Sequence, residues 1–137
     1  MISIIIPTIG RPSLTQAVKS VRQFFSLHPE IQVIVVDNGS IPLSSQQLNV
    51  LYEQRCEVTR LDNSSGVAEA RNRGIEMCRF EWMYFLDDDD CMLDRPQEDS
   101  NFFEFINSDS EFDFAVFSAW ENGKPNQRWN NGSFPRV

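Results

Sequence analysis

The chain has 137 residues, 41% of them hydrophobic and 23% charged, and 12 Lys and Arg against 20 Asp and Glu leave a formal charge of −8. That is one domain's length, with enough apolar content to bury a core. The acidity argues against a nucleic-acid polymer as partner, because tracking phosphates takes clustered Lys and Arg.

Residues 2–6 (ISIII) are a β-branched run closed by Pro7, which predicts a buried strand. After PTIGRP, the helical spacing of Leu14, Ala17, Val18, Val21, Phe24 and Phe25 predicts a helix, with Ser13 and Gln16 as its capping box. QVIVV at 32–36 predicts a second strand, stopped by the turn signal Asp37-Asn38-Gly39-Ser40. A weaker helix over 43–54 turns Leu48, Leu51 and Tyr52 inward, and CEVTRL at 56–61 is a third strand. SSGVAEARNRGIEMC is a helix capped by Ser64 or Ser65, with Gly74 a poor helix former in its interior. A fourth strand at 81–86 delivers four consecutive aspartates, residues 87–90. A helix over 98–106, a strand over 112–120 and a turn at Asn122-Gly123 that can open a hairpin complete the pattern.

Strands and helices in alternation, with near-continuous apolar strands, imply an α/β fold. It is a Rossmann-like, mostly parallel sheet with helices on both faces. The reading places one domain over 1–121 and a polar extension over 122–137. Cys56, Cys78 and Cys91 contain no CxxC pair, which argues against a disulfide framework or a zinc site and for a reduced, cytoplasmic setting. The start MISIII lacks a basic stretch and meets Pro7 at once, unlike a signal peptide, and no apolar run nears the roughly 20 residues of a spanning helix. Peripheral attachment to the inner face of the membrane stays open.

In open sheets of this kind ligands bind beyond the carboxyl ends of the strands. That rule gathers PTIGRP, DNGS, DNSSG and DDDD in one crevice. If the aspartates continue the strand, Asp87 and Asp89 share one face, Asp88 and Asp90 the other. Two carboxylates on one face suit Mg²⁺ or Mn²⁺, which take oxygen ligands and complete their shells with water and phosphate. The plainer alternative is a solvated turn or an acidic helix cap. An EF-hand does not fit: counting from Asp87, Glu98 stands at position twelve but Met92 takes the glycine's place. There is no GxGxxG after the first strand and no P-loop. His28, the single histidine, lies beside Pro29 far in sequence from the crevice, which argues against a Ser-His-Asp or Cys-His mechanism.

Taken in order, SIIIPTIGRP, VIVVDNGS, SSGVAEARNRG and FLDDDD resemble the nucleotide-sugar half of family 2 glycosyltransferases, which have the GT-A fold. The resemblance covers residues 2–92 and extends loosely to about residue 120. It implies that Asp37 and Asp62 contact the base or ribose of a UDP- or GDP-type donor, with Pro7, Thr8 and Arg11 lining the nucleotide pocket. It places Gly66 and Arg71 beside the nucleotide. Asp89 becomes the best metal ligand for Mg²⁺ or Mn²⁺, with Asp87 or Asp88 reaching the ribose or the metal. Plainer roles remain for Asp37 as a turn residue and for Arg71 as a surface residue. The implied reaction is transfer of the sugar, with inversion, to a hydroxyl of a saccharide or other acceptor, as in polysaccharide biosynthesis. The family's catalytic domain ordinarily runs on past this length, so the acceptor side and its base are expected to be missing, and Glu121 is the base candidate left. The alternatives are a truncated, non-catalytic nucleotide-sugar-binding module, working as a homo-oligomer or with a partner chain, and a response-regulator-like signalling domain. The latter typically carries its acidic pair after the first strand, where this chain has Pro7-Thr8.

Overall fold

The structure, a computed structural model, describes residues 1–26, 30–62 and 65–93, together with the backbone of 120–121 and 124–125. Its elements run β1 (Ile2–Thr8), α1 (Leu14–Phe24), β2 (Ile31–Asp37), α2 (Ser45–Glu53), β3 (Glu57–Arg60), α3 (Val67–Glu76) and β4 (Trp82–Phe85). The four strands form one sheet in the order β3-β2-β1-β4, every pairing parallel. A separate antiparallel pair, β5 (Trp120–Glu121) and β6 (Lys124–Pro125), flanks the expected turn at 122–123. The expected helix over 98–106 lies outside the described residues, as do His28 and all but the last residue of the strand over 112–120.

The continuous apolar strands are explained by a sheet covered on both sides. Ile2, Ile4 and Ile6 of β1 and Val33 and Val35 of β2 pack with Leu14, Ala17, Val18 and Val21 of α1. The alternate residues Ile5, Ile34 and Val36 face the other way, onto Ala70 of α3. Gly74 belongs to that second face. A β-carbon there would stand 2.3 Å from Cγ2 of Ile5, so the glycine lets α3 settle close on β1 at some cost in helix propensity.

Several boundaries differ from the sequence reading for identifiable reasons. Pro7 does not close β1, which continues to Thr8. The Ile5 carbonyl accepts from Leu86 N–H, so Ile5 and Pro7 face the β4 side, and pairing with β4 ends at Ile5–Phe85. The amide hydrogen proline lacks is therefore not needed by the ladder. Ser13 precedes α1 but its backbone is helical and its side chain makes no cap bond, so the expected capping box is absent. The box occurs instead at α2, where Ser44 and Gln47 cap each other. Tyr52, expected to face inward, is 63% exposed, and Leu51 fills the core with half-buried Leu48 packed against it. No helix among the described residues is long and apolar enough to cross a membrane. The three cysteines are free thiols, and burial, partly offset by Arg22, pushes the Cys56 thiol up to about 11.

Candidate functional site

A cleft of about 430 Å³ opens at the carboxyl ends of β1 and β4. The end of β1 and its following loop supply Pro7, Thr8 and Arg11, the start of α3 supplies Gly66 and Arg71, and the aspartate run supplies Asp87, Asp88 and Asp89. Eight of the residues expected to hold a nucleotide and its metal thus share one wall-to-wall space. Parallel pairing is the cause, since it brings every strand's exit to the same edge.

The aspartate run does not extend β4. The strand stops at Phe85, and Asp90 N–H donates to the Asp87 carbonyl at 3.0 Å, closing a turn. The expected alternation of faces therefore fails, and each carboxylate has its own environment. Asp88 is buried: Thr8 Oγ1 donates to its Oδ2 at 2.5 Å and Arg11 to its Oδ1 at 2.6 Å. The same Arg11 nitrogen lies 3.3 Å from Oδ2 of Asp89, whose side chain is 58% exposed. Arg71 pairs with Asp87 at 2.8 Å and places its guanidinium carbon 5.7 Å from the centre of the Phe85 ring. Its Nε is buried with no hydrogen-bond partner. Asp90 has neither arginine; burial first, then the charges of Asp87 and Asp89, push its carboxyl above the usual range. Arg11 is held more firmly protonated than usual, chiefly by its bond to Asp88.

Asp37 takes a different place from the one expected of a pocket residue. It is 3% exposed, and its oxygens accept from Gly39 N–H at 2.9 Å, Leu43 N–H at 3.3 Å and the Arg60 guanidinium. Arg60 also donates to the Gly39 carbonyl at 2.8 Å. The carboxylate ties down the DNGS loop at the edge of the cleft and is not among the described residues that line it. Asp62 is likewise not among them and lies exposed on a bend after β3. Glu121 sits in β5 opposite Lys124, and its side chain lies outside the described residues.

The sequence reading missed Arg60 and Asn38. Arg60 becomes Asp37's partner only through the register of β2 with β3, which sets the two side by side. Asn38 lines the cleft and accepts from Ser65 N–H at 3.0 Å, pinning the approach to α3. Ser65 therefore does not cap that helix; Gly66 does, at φ +94°, a conformation that disfavours any residue with a β-carbon. The other expected cap, Ser64, lies outside the described residues.

Among the described residues, no three His, Cys, Asp or Glu side chains converge as a ready-made metal cage. The donor chemistry still fits a hard divalent ion. Asp87 and Asp89 are about half exposed and offer only oxygen donors, each paired with a guanidinium through one oxygen. Mg²⁺ characteristically takes only one or two protein carboxylates and fills its shell with water and phosphate oxygens.

Comparison with known proteins agrees with this geometry. The profile described as "Glycosyl transferase family 2" matches residues 3–133. An uncharacterized glycosyltransferase of Haemophilus influenzae is 31% identical over 124 residues, covering 87% of this chain and 39% of its own length. The Staphylococcus aureus poly(ribitol-phosphate) β-N-acetylglucosaminyltransferase TarP is 31% identical over 102 residues, covering 72% of this chain and 31% of its own. The crystal structure of S. aureus TarS 1–349 in complex with UDP-GlcNAc superposes with a TM-score of 0.61 at 25% identity, covering 77% of this chain and 31% of that one. The chain thus spans roughly a third to two-fifths of these relatives' lengths.

Proposed function

The chain belongs to glycosyl transferase family 2, and we propose that its cleft binds the diphosphate and nucleoside of a UDP-type sugar donor for transfer to an acceptor hydroxyl. The observation that carries the reading is the convergence of Arg11, Arg71 and the start of α3 on the aspartate turn in a single cleft. Guanidinium forks and helix-start N–H groups suit phosphate oxygens, while surplus carboxylates suit a cation. The UDP-GlcNAc complex of TarS favours uridine over guanosine.

In this reading Asp89, with Asp87, would hold Mg²⁺ or Mn²⁺, which would supply Lewis-acid neutralisation of the diphosphate leaving group. Arg71, braced by Phe85 and Asp87, presents a fixed positive charge to the phosphates. Thr8 and Asp88 hold the aspartate turn against β1 so that Asp87 and Asp89 keep their places. Asp37 and Arg60 fix the DNGS loop that borders the nucleoside. The acceptor hydroxyl and the base that takes its proton belong to chemistry beyond these residues, and inversion at the sugar carbon follows if attack is direct.

The test is thermal unfolding of the chain with UDP, GDP and UDP-GlcNAc, each with Mn²⁺, Mg²⁺ or EDTA. A ligand present at 100 times its dissociation constant stabilises by about 2.7 kcal/mol. Uridine ligands are expected to raise Tm, more with metal than with EDTA, and Asp89→Asn to remove the metal increment. No shift with any nucleotide, with or without metal, overturns the reading.

A further inference from the structure

We propose that Arg11 is an exchangeable cation: it holds the place of the divalent ion at Asp89, and turns toward the donor's diphosphate when that ion binds. This rests on the donor-binding reading above and adds to it a specific role for Arg11 and a coupling between metal and nucleotide.

The geometry separates the two arginines of the cleft. Arg71 projects from helix α3, lies over Phe85 and has a buried Nε, so it is held from several sides. Arg11 projects from the loop after β1, with 48% of its side chain exposed and its contacts made to Asp88 and Asp89 alone among the salt bridges of the described residues. Its backbone is fixed, since its carbonyl accepts from Leu14 N–H and from Gln47 Nε2, both at 3.2 Å. A fixed root with a half-exposed head can turn from Asp89 toward the cleft while Arg11 and Thr8 still serve buried Asp88.

One guanidinium nitrogen bridges two carboxylates here, at 2.6 Å and 3.3 Å. A divalent ion brings twice the charge to the same oxygen of Asp89 and cannot share it closely with a guanidinium. Like charges at that range repel, so entry of the ion drives Arg11 off Asp89. The released fork remains on the cleft wall, where two or three negative phosphate charges are its natural partner.

Binding of each ligand alone is therefore handicapped. The ion without a diphosphate must displace Arg11 from Asp89 and stand beside that like charge with no anion between them. The diphosphate without an ion approaches Asp87, Asp89 and Asp90, with their repulsion uncompensated. Together each resolves the other's difficulty, which is positive coupling and is reciprocal by linkage.

The experiment compares wild type with Arg11→Gln and Arg11→Lys, their fold checked by circular dichroism. Mn²⁺ binding without nucleotide is read from the paramagnetic resonance of free Mn²⁺, and UDP binding at saturating Mn²⁺ by calorimetry. For Arg11→Gln the expectation is opposite in sign for the two ligands: Mn²⁺ alone binds about tenfold tighter and UDP about tenfold weaker, with the mutual enhancement reduced. Arg11→Lys keeps the competing charge but not the fork, so Mn²⁺ affinity stays near wild type while UDP affinity falls. Mn²⁺ affinity that is unchanged, weaker or unmeasurable in Arg11→Gln overturns the exchange. If wild type binds Mn²⁺ but no UDP, the donor-binding reading fails, and the exchange, which needs the diphosphate as Arg11's new partner, fails with it. UDP binding by wild type without the opposite-signed effect leaves donor binding standing and removes only the exchange.

Discussion

At the amino ends of the strands, Ser3 donates to Gln32 at 2.8 Å, Gln32 donates to Glu57 at 3.2 Å and to the Met77 carbonyl at 2.9 Å, and Arg79 pairs with Glu57. At the carboxyl ends, Arg11 and Arg71 pair with Asp87, Asp88 and Asp89, and the fourth carboxylate, Asp90, has neither. Both ends carry polar groups in or beside the core, and the principle of satisfying them is the same. The first network closes on itself, one cation to one anion, and needs nothing from outside. The second is left with excess negative charge beside a cleft, an arrangement that costs stability unless a cation is supplied. Charge imbalance in a concave place, and not the mere presence of buried polar groups, marks the end where a ligand belongs.

The largest expected effect that sharpens this contrast is at Asp37. Asp37→Ala strands the N–H groups of Gly39 and Leu43 and removes the partner of half-exposed Arg60, and the loss of these bonds to a buried carboxylate costs about 1.5–3 kcal/mol. Urea unfolding should show that loss together with weakened UDP binding. Stability within about 0.5 kcal/mol of wild type, the range of neutral surface changes, means the carboxylate is free to serve the ligand alone.

Gln32→Leu probes the closed network. It leaves Ser3, Glu57 and the Arg79 N–H short of a partner, and the cost expected is about 1–3 kcal/mol. The Tm increment produced by UDP should be untouched. A lost increment would break the comparison, because the amino end would then be coupled to the site.

Asp90→Asn gives the smallest effect, with a sign that depends on pH. Burial and the charges of Asp87 and Asp89 raise the folded-state pKa of Asp90 above its ordinary 3.8, so the ionised form is penalised on folding. That penalty is full above the folded pKa and disappears as pH falls toward 3.8. The substitution should therefore stabilise at pH 7, by less than about 1 kcal/mol for so exposed a group. By pH 3.5 the gain should be gone. Melting curves at the two pH values decide it; destabilisation at pH 7 would mean the surplus charge is not a cost.

Much of this was open to a reading of residues alone. The alternation of 2–6, 32–36 and 56–61 with helical spacing fixes a parallel sheet, because only burial on both faces tolerates continuous Ile and Val. The resemblance of four segments in order then named the family, and the carboxyl-end rule named the crevice. Local chemistry sufficed for these because each depends on neighbours in sequence or on a general topological rule. Other features needed the folded chain. That Asp88 points inward while Asp89 points out follows from a turn closed at Asp87 and from Thr8 and Arg11, eighty and seventy-seven residues away in sequence. Arg60 meets Asp37 through strand register, and Gly74 is required by the approach of Ile5. Sequence patterns report which residues are buried or exposed on an element; which charge meets which is decided when distant segments pack, since a Coulomb or hydrogen-bond energy depends on a separation that no pattern along the chain encodes.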